Sequence, residues 1–242
     1  MLKPPSLARH FAGSLRDCRS GVAFLEFAFA MPVVLALGLL GLETANYAMA
    51  NLRVSNIAML TADNAARVRE SIDEGDVTDL LTGAKMSGSN INFAQNGRII
   101  LTDLEPTTTG GKQWVRWQRC DGALNYSGTN TALRPLTAAG VAITNGTEIF
   151  ATDRTTTSAA PSSETKATMT SFGTGSNVIS AASGTAVMVV EVAYNYQPVI
   201  PNSFLSGRQL TYTSAFNVRQ RTNQSLQNIN RITPKSCSTF AA

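Results

Sequence analysis

The run Val22 to Leu42 constrains this chain more than any other stretch. Its twenty-one residues carry one charge, Glu26, and at about 1.5 Å of rise per residue a helix of that length covers a hydrocarbon core of roughly 30 Å. We expect a transmembrane helix over residues 22–42. Ahead of it Lys3, Arg9, Arg16 and Arg19 stand against Asp17 alone, so residues 1–21 form a basic leader that holds three of the four net positive charges. The first basic residue beyond the span is Arg53. That asymmetry predicts a cytoplasmic N-terminus and export of the rest. A secretory signal has a shorter apolar core that ends at a small-x-small cleavage site, and here the apolar run passes into further helix instead. Beyond the leader the chain is close to neutral, so the pI of about 9.1 calls for no nucleic-acid partner.

After Glu43 the pattern turns amphipathic without a break. Tyr47, Ala50, Val54, Ile57, Thr61, Ala65, Val68 and Ile72 recur in steps of three and four, which gathers them on one helical face. The spacing predicts a continuation over residues 43–72, stopped at "DEGD", Asp73 to Asp76. A single helix cannot bury that stripe, so residues 73–242 must pack on it. They read as β-rich. Asn96-Gly97 in "INFAQNGRIILTDL" suggests a hairpin turn, and "QWVRWQRC" a short aromatic strand. "TAVMVVEVAYNYQP" and "QLTYTSAFNVR" alternate strictly, and Pro198, Pro201 and Gly207 between them predict an antiparallel pair. Residues from about 127 to 177 are rich in Thr, Ser, Ala, Gly and Asn and read as a long solvated loop.

The chemistry absent from the sequence matters as much. The sole histidine is His10, on the leader, which removes His-based triads, HExxH zinc sites and most general acid-base catalysis from the exported part. Phosphate-cradling and dinucleotide-binding glycine motifs are missing too. The composition speaks against an enzyme and calls for no metal and no cofactor. Asp73, Glu74 and Asp76 read as a solvated helix-terminal turn rather than a cation site. Trp114 and Trp117, three apart on a strand, should point to opposite faces and so serve packing, with Arg116 or Arg119 over a ring, rather than form a stacking platform. Cys18 precedes the span, whereas Cys120 and Cys237 follow it. An even pair in an oxidising compartment predicts a disulfide that ties the C-terminal segment back to the aromatic strand.

Glu26 remains. A carboxylate inside a span costs at least about 2.5 kcal/mol near the bilayer centre and marks a functional site unless it snorkels to the headgroups. Its neighbours, Gly21-Val22-Ala23-Phe24-Leu25-Glu26-Phe27 after a basic leader, resemble the processing site of type IV pilin-like proteins: a glycine, four apolar residues, then glutamate at the fifth position of the mature chain. The aromatic Phe27 after that glutamate, and Pro32 inside the apolar run, are similar to the TadE/TadF pseudopilin (minor pilin) branch of the tight-adherence, or Flp, pilus apparatus. The likeness covers about fifty residues.

The resemblance implies an α+β, pilin-like fold: a long N-terminal transmembrane-plus-amphipathic helix packed on a C-terminal antiparallel β-rich domain. It also implies a bacterial inner-membrane location with that domain periplasmic, cleavage by a prepilin peptidase between Gly21 and Val22, and pairing of Glu26 with an N-terminal amine during assembly. The implied partners are other pilin or pseudopilin subunits and inner-membrane assembly proteins, met through the helix. The 170 residues after the helix set the chain apart from the very short major Flp pilins, and the DxSxS metal motif of larger relatives is absent. The competing readings are an uncleaved bitopic scaffold of a pilus or secretion complex and, from another class, a membrane-anchored ligand-binding domain.

Overall fold

The computed structural model describes residues 20–107, 112–126, 168, 169, 172, 178–201, 203–237 and 239–242. The leader up to Arg19 and most of the Thr/Ser-rich stretch lie outside the described residues. The chain divides into two units, Met1–Asn46 and Tyr47–Ala242. In the first, the described residues belong to helix α1 (Ser20–Arg67), and every side chain from residue 21 to 42 is exposed.

The second unit is an α+β domain. Here α1 buries Ala50, Val54, Ile57, Ala58, Ala62, Ala65 and Ala66 against a sheet, the face expected from the periodicity. Alanine at five of these positions lets strands approach the helix axis closely. The helix ends at Arg67, five residues before the expected stop. Its last carbonyls explain the end: the Arg219 amide donates to Ala66 at 3.3 Å and the Arg221 guanidinium to Ala65 at 3.3 Å, which satisfies groups a helix terminus leaves open. Asp63 pairs with Arg67 at 2.6 Å and Arg219 at 3.0 Å across the same corner. Val68 stays half-buried beside the core. Glu70, at φ 59°, then redirects the chain into strand β1 (Glu70–Asp73), so Ile72 is a buried strand residue rather than the end of the helical stripe.

"DEGD" starts a helix instead of stopping one. Asp73 caps α2 (Glu74–Ser87): its side chain accepts from Gly75 N while Asp76 accepts from the Asp73 amide, a capping box. A 3-10 turn (Ser89–Ile91) and a single helical turn, α3 (Phe93–Asn96), lead into β2 (Gly97–Pro106). Asn96-Gly97 is therefore not a hairpin turn. Gly97 is extended, and a Cβ there would sit 2.5 Å from the Phe93 ring; the glycine makes room for that ring, which stacks on Tyr194 at 6.0 Å.

The remaining strands are β3 (Gln113–Asp121), β4 (Thr168–Met169), β5 (Val187–Asn195), β6 (Gln209–Asn217) and β7 (Arg221–Gln227). Four of them join β2 in an antiparallel sheet of order β4-β3-β2-β5-β6. The β5–β6 pair runs in unbroken register from Val187 opposite Asn217 to Asn195 opposite Gln209, as the alternation in both segments predicts. One face, with Ile99, Leu101, Trp117, Met188, Val190 and Val192, packs on α1. The other carries a smaller cluster around Leu104, Val115, Phe172 and Val189. Strand β1 pairs in parallel with β7, which brings the start of the domain against its C-terminal segment.

Candidate functional site

Two regions could carry function: the exposed start of α1 and the charged interior of the domain. In the first, Gly21, Val22, Glu26, Phe27 and Pro32 all lie on α1 and all are exposed. Phe24 is 75% and Phe29 73% accessible, which an aqueous surface would not sustain along a whole helix. By length and composition this helix can cross a membrane. Val22 and Glu26 stand one turn apart on the same face, and the helical geometry tilts the Glu26 side chain back toward Val22. The helix continues through Pro32, which leaves the Ala28 carbonyl without its usual i+4 donor.

The second region is the set of ion pairs inside the domain, which the sequence reading missed. Glu74, at the first position of α2, is buried and accepts from Arg119 Nε at 3.0 Å and Nη2 at 2.5 Å. Asp73 uses its other oxygen to accept from the Ile229 amide at 2.9 Å. The three carboxylates of "DEGD" thus act as a cap, a buried counter-ion and a capping-box partner, a correction to their reading as a solvated turn. Among the described residues no His/Cys/Asp/Glu group is arranged to hold a metal.

Deeper in the sheet, Asp103 and Arg221 are both fully buried, 3.8 Å apart. Arg221 also reaches Gln224 Oε1 at 2.7 Å and the Met188 sulfur at 3.5 Å, so it joins the end of α1, β5 and β7. Burial holds Asp103 well above the usual carboxylate range and Glu105 adds to that, against the opposing pull of Arg221, Arg116 and Trp117. Burial lowers Arg221, with Asp103, Glu105 and Asp76 opposing. A carboxyl whose pKa is raised on folding contributes stability at low pH that is lost as pH rises through the folded value. The domain's melting temperature should therefore fall as pH rises from the ordinary carboxylate range upward, partly through Asp103. In Asp103→Asn, which keeps an acceptor for Arg221, that fall should be shallower by thermal melts across the range, and an unchanged slope would refute the assignment.

The tryptophans are buried, and Arg116 lies 5.0 Å over the Trp114 ring while pairing with Glu105 at 2.6 Å. They serve packing, but not through opposite faces. The register slips between Asp103 and Leu104, which gives β3 one extra residue, Arg116, and breaks the alternation between the two indoles.

Cys120 and Cys237 are joined in a disulfide, the pairing expected from the sequence. Around it Lys235 pairs with Asp121 at 3.3 Å. Arg98 donates to the carbonyls of Gly122, Cys237 and Thr239 at 2.6 to 2.8 Å and lies under the Phe240 ring at 4.3 Å. Burial pushes Arg98 down to about 10, with Asp121 opposing. The cation serves as a clasp for the C-terminal segment.

A cleft of about 470 Å³ lies between α1 and α2, lined by Ile57, Leu60, Asn64, Asp76, Asp79 and Leu80 among others. It is open and mixed in character, without the convergent polar groups of a small-molecule site. Compared with known protein families, curated proteins and solved structures, the chain gives no match.

Proposed function

We propose that the protein is a TadE-like minor pilin or pseudopilin that takes part in assembling a Flp-type pilus, held in the bacterial inner membrane by residues 22–42 with the second unit in the periplasm. The observation that carries the reading is the coincidence of two features. The run Gly21 to Phe27 has the glycine-to-glutamate spacing of a prepilin processing site, and it stands at the start of a helix exposed on every side over its apolar length. The later part of that helix is the central packing element of a folded domain, so the domain is anchored by its own core.

In this reading a prepilin peptidase cuts after Gly21, and the new amine on Val22, or that of a neighbouring subunit, becomes the partner of Glu26. Pairing and hydrogen bonding offset the cost of holding the carboxylate in lipid. The partners are other pilin or pseudopilin subunits and inner-membrane assembly proteins, which meet the exposed apolar residues, and no nucleic acid is involved. The buried charged residues described above are spent on ion pairs, in keeping with a structural role.

Mass spectrometry of the chain from its native membrane tests the cut: the expected N-terminus is Val22. An intact Met1 would make the protein an uncleaved bitopic scaffold. In parallel, Glu26→Ala should insert normally but lose co-purification with other subunits and lower pilus output, whereas unchanged values for both would remove the role given to Glu26.

A further inference from the structure

Strand β6 closes one side of the five-stranded sheet, and among the described residues its outer edge is open. Tyr196 donates its amide to Arg208 O, and Val218 donates to Ala186 O, both at 2.9 Å and between directly opposed residues. These two bonds set the phase of the ladder: even-numbered residues of β6 bond to β5, and Gln209, Thr211, Thr213, Ala215 and Asn217 turn their N–H and C=O groups outward. Among the described residues no backbone partner takes up those outward groups, and no strand flanks β6 on that side.

Edges of this kind are usually blunted by lysine, proline, a bulge or brevity. β6 has none of these: nine residues, "QLTYTSAFN", without a charge or a proline and with no slip against β5, where strands average about five or six residues. The core also runs out at this edge unfinished. Leu210 is buried and Phe216 packs on the main cluster, yet Tyr212 on the same face is 45% accessible.

We propose that β6 is a self-pairing interface: two copies of the chain join their β6 strands antiparallel about a twofold axis at Thr213, so that two five-stranded sheets become one of ten. The register follows from the phase of the ladder. Outward residues must oppose outward residues, and pairing over the whole strand from Gln209 to Asn217 then sets Thr213 opposite Thr213, Thr211 opposite Ala215 and Gln209 opposite Asn217. On the helix-facing side Leu210 then meets Phe216 of the second copy, and Tyr212 meets Ser214, a large side chain against a small one. A strand with no charge offers nothing to select an acidic or basic partner and nothing to repel its own copy. The charged residues lie just outside, at Arg208 and Arg219, and Arg219 is already paired with Asp63. One strand pair is a small contact by the standard of stable dimers, so association is weak and concentration-dependent.

The test uses the full chain in detergent micelles, by sedimentation and by hydrogen exchange. The expected result is a monomer–dimer equilibrium with protection of the Thr211, Thr213 and Ala215 amides that is lost on dilution. Thr213→Pro removes an outward N–H that β5 does not use, so it should keep the melting temperature and lower dimer affinity at least about tenfold. Thr213→Lys, which sets two cations opposite each other, should do the same by a different route, and Thr213→Val should leave the dimer intact. A chain that stays monomeric at about 100 µM, where micromolar association would show, overturns the proposal. So does a dimer that survives both Pro and Lys, which would place the contact elsewhere, on the apolar helix for instance. Protection of the outward Thr211, Thr213 and Ala215 amides in a monomer would also overturn it.

Discussion

Glu74→Ala should destabilise the domain by about 3–5 kcal/mol, because it leaves the fully buried guanidinium of Arg119 without its carboxylate. For a unit of this size that is a fall in Tm of roughly 10 °C. Loss of a favourable charge at the start of α2 adds only about 0.5 kcal/mol, so a large effect is a measure of the stranded cation. The double variant Glu74→Leu with Arg119→Met removes both charges and should recover most of the loss, since a buried pair is often no better than apolar residues of similar volume. Denaturant titration of the three proteins decides it. A Glu74→Ala loss below about 1 kcal/mol would mean that water or a rearranged partner solvates Arg119.

Reduction of the disulfide, or Cys120→Ser with Cys237→Ser, should cost a comparable amount. The bond closes a sequence separation of 117 residues, which in the chain-entropy model corresponds to about 4 to 5 kcal/mol. The variant should keep its far-UV spectrum at 25 °C and unfold at a much lower urea midpoint. Arg98 holds the same segment through the Cys237 and Thr239 carbonyls, so the tail should stay docked in the reduced protein, and Arg98→Ala should matter more there than with the bond intact. Equal effects of Arg98→Ala in both forms would show that the clasp and the disulfide act independently.

Much of this architecture is written in local patterns. The apolar run ending at Leu42, the stripe from Tyr47 to Ala65 and the alternation of β5 and β6 each follow from one period of side-chain placement. The errors share a cause, which is information held by distant residues. Ile72 fits a helical stripe, but Leu226 draws it into a parallel strand pair. Gly97 resembles a turn residue because the Phe93 ring that needs its space cannot be seen from dipeptide chemistry. β7, "RTNQSLQ", is too polar to read as a strand, and its place is set by pairing with β1 and by Arg221. Two features were legible in principle. Asp73-Glu74-Gly75-Asp76 has capping-box spacing before an apolar pattern, which marks a helix start. Arginines and acids at inward phases of β2 and β3, such as Asp103 and Arg119, break the alternation where a buried pair must lie. The run from Gly21 to Phe27 is local too, but the processing proposed for it would depend on a peptidase and neighbouring subunits, which no pattern within this chain encodes.

The parallel pairing of β1 with β7 also orders events in time. Residues near 70 cannot complete their ladder, the final carbonyls of α1 cannot find Arg219 and Arg221, and Cys120 cannot find its mate until the segment from 219 to 240 has been made and has arrived beside them. A chain delivered N-terminus first must therefore hold the long alanine-lined face of α1 uncovered while some 150 further residues follow. Long-range closure of this sort slows folding, and in the membrane topology proposed above the domain would lock only after its last strand had crossed.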